Sequence, residues 1–352
     1  MHSLDFSQED RDRAARYHHF LYAATAARLL VVVVVYSLLT TVGIEGLGWA
    51  GDAAAWAVAV LAAAGAATFP LDLWRGLVRE RRFALSTQTF RGWLADRAKS
   101  EAIGLVLVAG AWVAVVGLAR VWPRWWPAPA AAGLALAVLV LSFVTPVVLE
   151  PLFNRFRPLV DEPLAGELRA LADRAGVPVR DVLVADASRR TTRTNAYVSG
   201  LGPTRRVVVW DTLLAGASAP EVKLVVAHEL GHRRERHVLK GTVVGMANAV
   251  AAVLVLWAAV GTPQPGDLPL AALVLVGLGL AGMPLFAALS RRWEREADRC
   301  SLELTGDREA FARAHVALAR KNLSDLNPPR LAYLMLFTHP TPPERLALAR
   351  PR

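Results

Sequence analysis

The apolar positions of this chain fall in long uninterrupted blocks, not at the alternating or three-to-four spacing of a soluble element. Six blocks reach the roughly 20 apolar residues that a helix needs to cross a hydrocarbon core. They are residues 20–42, 53–73, 103–122, 130–149, 239–260 and 268–289. The second is Ala-rich and runs into Phe69-Pro70-Leu71-Asp72. The fourth contains Pro146, which a membrane helix accommodates as a kink where neighbours satisfy the freed carbonyl.

Between the fourth and fifth blocks the pattern changes. Residues 164–175 have helical periodicity, stopped by Gly176 with Pro178 just beyond. Residues 182–185, 195–199 and 206–210 read as short strands. Ser218 and Pro220 then open a helix whose apolar run leads into a pair of histidines. The pattern divides the chain into residues 1–150 with four spans, an insert at 151–238, two further spans at 239–289, and a carboxy-terminal segment at 290–352.

Composition agrees: 54% of residues are hydrophobic and 20% charged. The net charge of +10 raises nucleic acid as a partner, but the basic residues form no aromatic-interleaved stripe, so none is expected. They flank the apolar blocks instead. Residues 43–52 and 261–267 carry no Lys or Arg, and 123–129 only Arg124, whereas 75–99 holds Arg75, Arg79, Arg81, Arg82, Arg91, Arg97 and Lys99. By the positive-inside rule both termini, the 75–99 loop and the insert are cytoplasmic, in a multi-pass protein of the cell membrane. Contact with anionic lipid is the expected role of the 75–99 loop. The first apolar run is too long for a cleaved signal and reads as a retained span. Cys300 is the single cysteine, so no internal disulfide forms, and it reads as a bystander.

The chemistry sits in His228-Glu229-Leu230-Gly231-His232, an H-E-x-x-H pattern. Residues four apart share a helix face, so His228 and His232 reach one metal ion, while the Glu229 carboxylate can take a proton from water activated there. A catalytic zinc uses three protein ligands. A histidine six residues after His232 would have to be position 238, which is Val238; His237 is one residue off that face. The next charged helix offers Glu294 and Asp298, four apart and on one face, one to bind the metal and the other to hydrogen-bond a ligating histidine. Spacing does not choose between them. Glu296 lies on another face and reads as a solvated charge.

Six ordered blocks make the chain resemble the type I CAAX prenyl protease family of integral-membrane zinc peptidases. They are Glu150-Pro151-Leu152-Phe153-Asn154-Arg155-Phe156, Thr194-Asn195-Ala196-Tyr197, Val209-Trp210-Asp211-Thr212-Leu213-Leu214, the H-E-x-x-H run, residues 290–298, and His339-Pro340 with Glu344-Arg345-Leu346. The resemblance implies one Zn2+ per chain held by His228, His232 and Glu294, with Asp298 behind a ligating histidine. It implies that His339 points into the site to stabilise the developing oxyanion, and that Asn195 and Ala196 pair with an extended substrate backbone. The implied fold is a mostly α polytopic membrane bundle of six to seven spans with a cytoplasmic zincin-like α+β catalytic insert. The family's Gly-Phe-Asn-Lys-Gln-Thr-like stretch is here Phe83-Ala84-Leu85-Ser86-Thr87-Gln88-Thr89, of which only the last part survives.

The expected activity is a zinc-dependent endopeptidase acting on a peptide or membrane-protein substrate, lipid-modified or not, in contact with membrane lipids. The competing reading is a catalytically inactive scaffold or sensor that retains the fold; such a protein has no use for the base and all three ligands together.

Overall fold

Each of the six apolar blocks is helical, and their ends are set by local chemistry. The computed structural model describes residues 6–350 apart from residue 201. A short amphipathic helix α1 (Gln8–His18) starts at a reciprocal cap between Ser7 and Asp10. It leads into α2 (Leu21–Leu39), α3 (Gly48–Leu73), α4 (Phe90–Val121) and α5 (Pro127–Val144). α4 begins thirteen residues before the expected start at 103, because Thr89 caps it by accepting from Gly92 N and the charged residues that follow are good helix formers. After α5 the chain makes a π-helical turn, Thr145–Leu149, which absorbs Pro146 where a kink was expected.

The spans are inside out relative to a soluble protein. Val34, Leu38, Val106, Val140, Leu254 and Leu285 are exposed on helix surfaces. Ala53, Ala57, Val116 and Ala119 pack with Trp56, Trp112 and Trp126 between helices. Two of these three indole N–H groups close loops onto the bundle: Trp112 donates to Pro265 O and Trp126 to Gly261 O, each at 3.0 Å. Asp72 ties three spans together by accepting from Arg28 at 2.8 Å and Arg97 at 2.9 Å.

That last contact corrects the expected 75–99 loop. Most of it is helix: a π-helical turn (Trp74–Val78), a short helix (Arg79–Arg82) and the start of α4. Two of its guanidinium groups, those of Arg79 and Arg97, are drawn inward, whereas Arg81, Arg82 and Arg91 stay exposed. Arg79 is buried and donates to Tyr17 O, and Arg81 donates to Gln88 O. Only residues 83–89 are non-helical, and they zip onto the insert: Thr87 N donates to Arg190 O, and Thr192 N donates to Leu85 O, each at 3.1 Å.

The insert holds a four-stranded sheet in the order β1-β2-β4-β3, with β1 (Phe156–Pro158), β2 (Asp181–Ala185), β3 (Ala196–Ser199) and β4 (Arg206–Trp210). β2 and β4 are parallel and the outer pairs antiparallel. β1 escaped the sequence reading because three residues ending in a proline carry no periodicity. α6 (Glu162–Arg174) and α7 (Ala219–Arg234) cover the sheet; Leu164, Leu168, Val222, Val226 and Leu230 meet Val182, Val184, Val207 and Val209. α8 (His237–Val260) returns through the membrane, and α9 (Leu268–Thr305) emerges again as one unbroken helix across the expected 289/290 boundary. α10 (Arg308–Asn322), α11 (Arg330–Leu336) and α12 (Pro342–Ala349) close the head around its end.

Candidate metal centre

The histidine helix is fixed at its start and buried along its length. Ser218 and Glu221 form a reciprocal cap, with Glu221 accepting from Ser218 N at 2.7 Å, and Pro220 occupies the first turn. One turn apart on α7, His228 and His232 bring their Nε2 atoms to 3.1 Å. α9 crosses close by, and Glu294 reaches both: Oε2 is 3.3 Å from His228 Nε2 and Oε1 is 3.2 Å from His232 Nε2. Of the two carboxylates that spacing left open, Glu294 is the one aimed at both imidazoles.

Three donors in this arrangement fit a divalent ion. All three ligand atoms lie within 4.8 Å of one another. A four-coordinate ion with bonds of about 2.1 Å has ligand-to-ligand edges of about 3.4 Å, close to the spacings found. Two neutral imidazoles cannot turn lone pairs on each other at 3.1 Å unless a proton or a cation lies between them. Cys300, two residues beyond Asp298, takes no part; it is buried under Gly231 and its sulfur faces Arg234.

Behind the donors is a charge-balanced shell. Asp298 is fully buried and its Oδ1 comes to 2.8 Å from His228 Nδ1. Arg345 on α12 spans the two carboxylates, with Nη2 at 2.6 Å from Glu294 and Nε at 3.1 Å from Asp298. Burial works against a charged His228, but its contacts with Asp298 and Glu294 outweigh that and raise its pKa to about 10. His315 on α10 is buried beside the same group, where burial and then Arg345 push its pKa down to about 3, so it stays neutral. The Glu229 carboxyl is raised above its ordinary value by burial, partly offset by the two histidines. His339 enters from the α11–α12 connection, with Nε2 3.3 Å from Glu294 Oε1.

Two residues set aside on spacing grounds are part of the site. His237 is not on the α7 face, yet Arg236 adopts φ +57° and ends that helix. The chain therefore turns back, and His237 Nδ1 lies 3.0 Å from His232 Nδ1. Glu296 is not the solvated charge expected of it, because it accepts from His237 Nε2 at 3.0 Å and Arg292 at 3.0 Å. Helical-face arithmetic could not see a contact made across a helix break. Arg345 had a signal that went unused: two buried carboxylates at one site require a cation.

A cleft of about 530 Å³ opens over Glu229 and is lined by Thr194, Asn195, His228, Glu294, His339 and Arg345 among others. β3 is the outer strand of the sheet on this side. Its lead-in is held firmly: Asn322 accepts from Thr194 N at 3.0 Å and donates to its carbonyl at 3.2 Å, and Asn195 O accepts from Trp210 N at 3.0 Å. Arg233 covers the far end at Val198 O, so the stretch bordering the cleft is Thr194–Asn195, with Ala196 buried just after it.

The same two-part organisation recurs in known proteins. Residues 158–352 match the model of peptidase family M48, and residues 11–155 match one described as CAAX prenyl protease N-terminal, five membrane helices. Among the described residues there are four candidate spans in that second stretch and six in all. An uncharacterized metalloprotease of Bacillus subtilis, YhfN, is 31% identical over 79% of this chain and 68% of its own. CAAX prenyl protease 1 of Saccharomyces cerevisiae is 27% identical over 79% and 67%. The crystal structure of S. mikatae Ste24p shares the fold at a TM-score of 0.84 and 22% identity, across 98% of this chain and 90% of that one. A multi-pass membrane bundle, a convergent His–His–Glu donor set and these relatives lead to one assignment: the chain belongs to peptidase family M48, as a membrane-embedded metallopeptidase.

Proposed function

We propose that the protein is a zinc-dependent endopeptidase that cleaves extended peptide segments presented at the cytoplasmic face of the membrane. The observation that carries this is the approach of His228 Nε2, His232 Nε2 and Glu294 to within 3.1–3.3 Å of one another, with a partly buried carboxylate beside them. Two imidazoles and one carboxylate suit zinc, which supplies Lewis-acid polarisation of the scissile carbonyl and of water when bound. The basic flanks of the spans support the cytoplasmic placement of the head.

The chain's own groups account for the rest. Glu229 is the general base: its carboxylate accepts the proton of the attacking water and returns it to the leaving amine nitrogen. Burial brings its affinity for protons closer to that of neutral solution, which suits both transfers. His339 faces the site from the opposite wall and donates from Nε2 to the oxygen on which negative charge develops. Asp298 orients His228, and Arg345 keeps two carboxylates from repelling each other. The Asn195–Ala196 end of β3 takes up the substrate backbone by strand addition, which holds the scissile bond over Glu229.

The relatives include proteins named CAAX prenyl protease 1, and prenylated carboxy-terminal peptides are accordingly the first substrates to try, beside unmodified ones. Glu229→Gln should keep its metal and lose hydrolysis of both. Wild-type protein that binds zinc but cleaves neither peptide returns the scaffold reading; a Glu229→Gln protein that cleaves normally removes the assigned base.

A further inference from the structure

The two ligating histidines are supported differently. His228 has a carboxylate, Asp298, directly at its Nδ1. His232 has an imidazole there, His237, and the carboxylate comes only after it, at Glu296. The hydrogen positions in this series are forced. If His232 Nε2 gives its lone pair to the metal, Nδ1 carries the proton and donates it to His237 Nδ1. His237 must then be protonated at Nε2, which donates to Glu296 Oε2. Glu296 accepts only, and its other oxygen takes the Nε–H of Arg292. The donors run toward Glu296 from Arg292 and from the metal site alike, and no single atom is asked both to donate and to accept.

The surroundings fix His237 for this task. It is 4% exposed and its ring lies against Trp293, with centroids 5.5 Å apart and planes inclined by 17°. The left-handed Arg236 provides the turn that presents it. An arginine at φ +57° stores roughly 1 kcal/mol of backbone strain that a smooth helix would not, so the break is maintained by what it positions. The chain thus departs from helical regularity at the one place where that brings a third imidazole onto the second ligand.

We infer that His237 and Glu296 are positioning residues for the metal: together they lock the Nδ1–H tautomer and the ring orientation of His232 and raise the basicity of its Nε2. The inference rests on the proposed His228–His232–Glu294 site. It predicts that the pair governs how tightly the ion is held, apart from any role in holding the fold.

The test is the rate at which zinc-loaded protein in detergent gives up its metal to a chelator, measured beside the melting temperature of the metal-free form. His237→Leu removes the acceptor and should speed metal loss about 10- to 100-fold. His237→Gln, which offers a carbonyl to His232, should recover most of that. Glu296→Gln keeps the shape and is expected to shift in the same direction by a smaller factor, so the test survives if His237→Leu does not fold. Leu168→Ala, in the core between α6 and the sheet, is the structural control, expected to lower the metal-free melting temperature with little change in the loss rate. The inference is overturned if His237→Leu and Glu296→Gln release metal at the wild-type rate, or if their loss rates merely follow the metal-free melting temperature as the control does. Wild-type protein that takes up no zinc would instead sink the metal site itself.

Discussion

Gly231 rests directly on Ala297. A Cβ at position 231 would come to 3.1 Å from both the Cα and the carbonyl oxygen of Ala297, and to 3.1 Å from Cys300 Cβ. The contact is backbone on one side, so it cannot yield by a rotamer change. It sets how near α9 comes to α7, and therefore how near Glu294 comes to the two histidines. The glycine inside His228-Glu229-Leu230-Gly231-His232 is there for helix contact, not for turn formation.

Gly231→Ala should accordingly cost about 1–3 kcal/mol of stability by overpacking and weaken metal binding at the same time, because separating the helices lengthens both Glu294 contacts. Thermal melts with and without zinc read the two effects apart. A variant unchanged in both would show that α7 and α9 are not held at this distance by the glycine.

Arg345 answers for two carboxylates. Its side chain is 15% exposed, against 7% and 0% for Glu294 and Asp298. Removing one partner of a buried ion pair leaves the other uncompensated, at about 3–5 kcal/mol. Arg345→Met is expected to show most of that loss in metal-free protein and less when zinc is present, since the ion takes over part of the compensation. Equal destabilisation with and without zinc would contradict this electrostatic role.

The pH dependence of metal binding follows from His228. Its pKa in the metal-free protein, about 10, lies above the unfolded value of about 6.5. The stabilisation from its protonated form is thus complete below pH 6.5 and disappears as pH rises through 10. Zinc has to displace that proton, so affinity should climb about tenfold per unit between pH 7 and 9. Chelator-competition titrations across that range test the slope; a flat profile would mean that His228 does not give up a proton on binding.

The Asn195–Ala196 edge makes its own prediction. If the substrate adds as a strand, N-methylation of one backbone amide that faces β3 removes one hydrogen bond worth about 0.5–1.5 kcal/mol. KM should rise about two- to tenfold for that peptide and not for its isomer methylated on the opposite side. Equal effects at both positions would argue against strand pairing.

How legible this was in the sequence depended on distance along the chain. The six spans were readable because lipid removes the need for periodicity and leaves an uninterrupted apolar block as the signal. The histidine pair was readable because four residues within one helix fix a face. Spacing named Glu294 and Asp298 as a pair and only the family resemblance told them apart, since their roles depend on how α9 is rotated against α7, which the Gly231–Ala297 contact helps to set. The inward turn of Arg79 and Arg97 was invisible, because the acceptors that bind them, Tyr17 O and Asp72, lie on other elements. His237 and Glu296 were set aside by sound face arithmetic that assumed a helix continuing where Arg236 breaks it.

The account depends most on Glu294 completing a metal site with His228 and His232. Zinc content and affinity of purified wild-type protein, measured beside Glu294→Ala, test this most directly. The expected result is one tightly held zinc per wild-type chain and loss of nearly all of it in the variant. A Glu294→Ala protein that retains zinc with wild-type affinity would contradict the site.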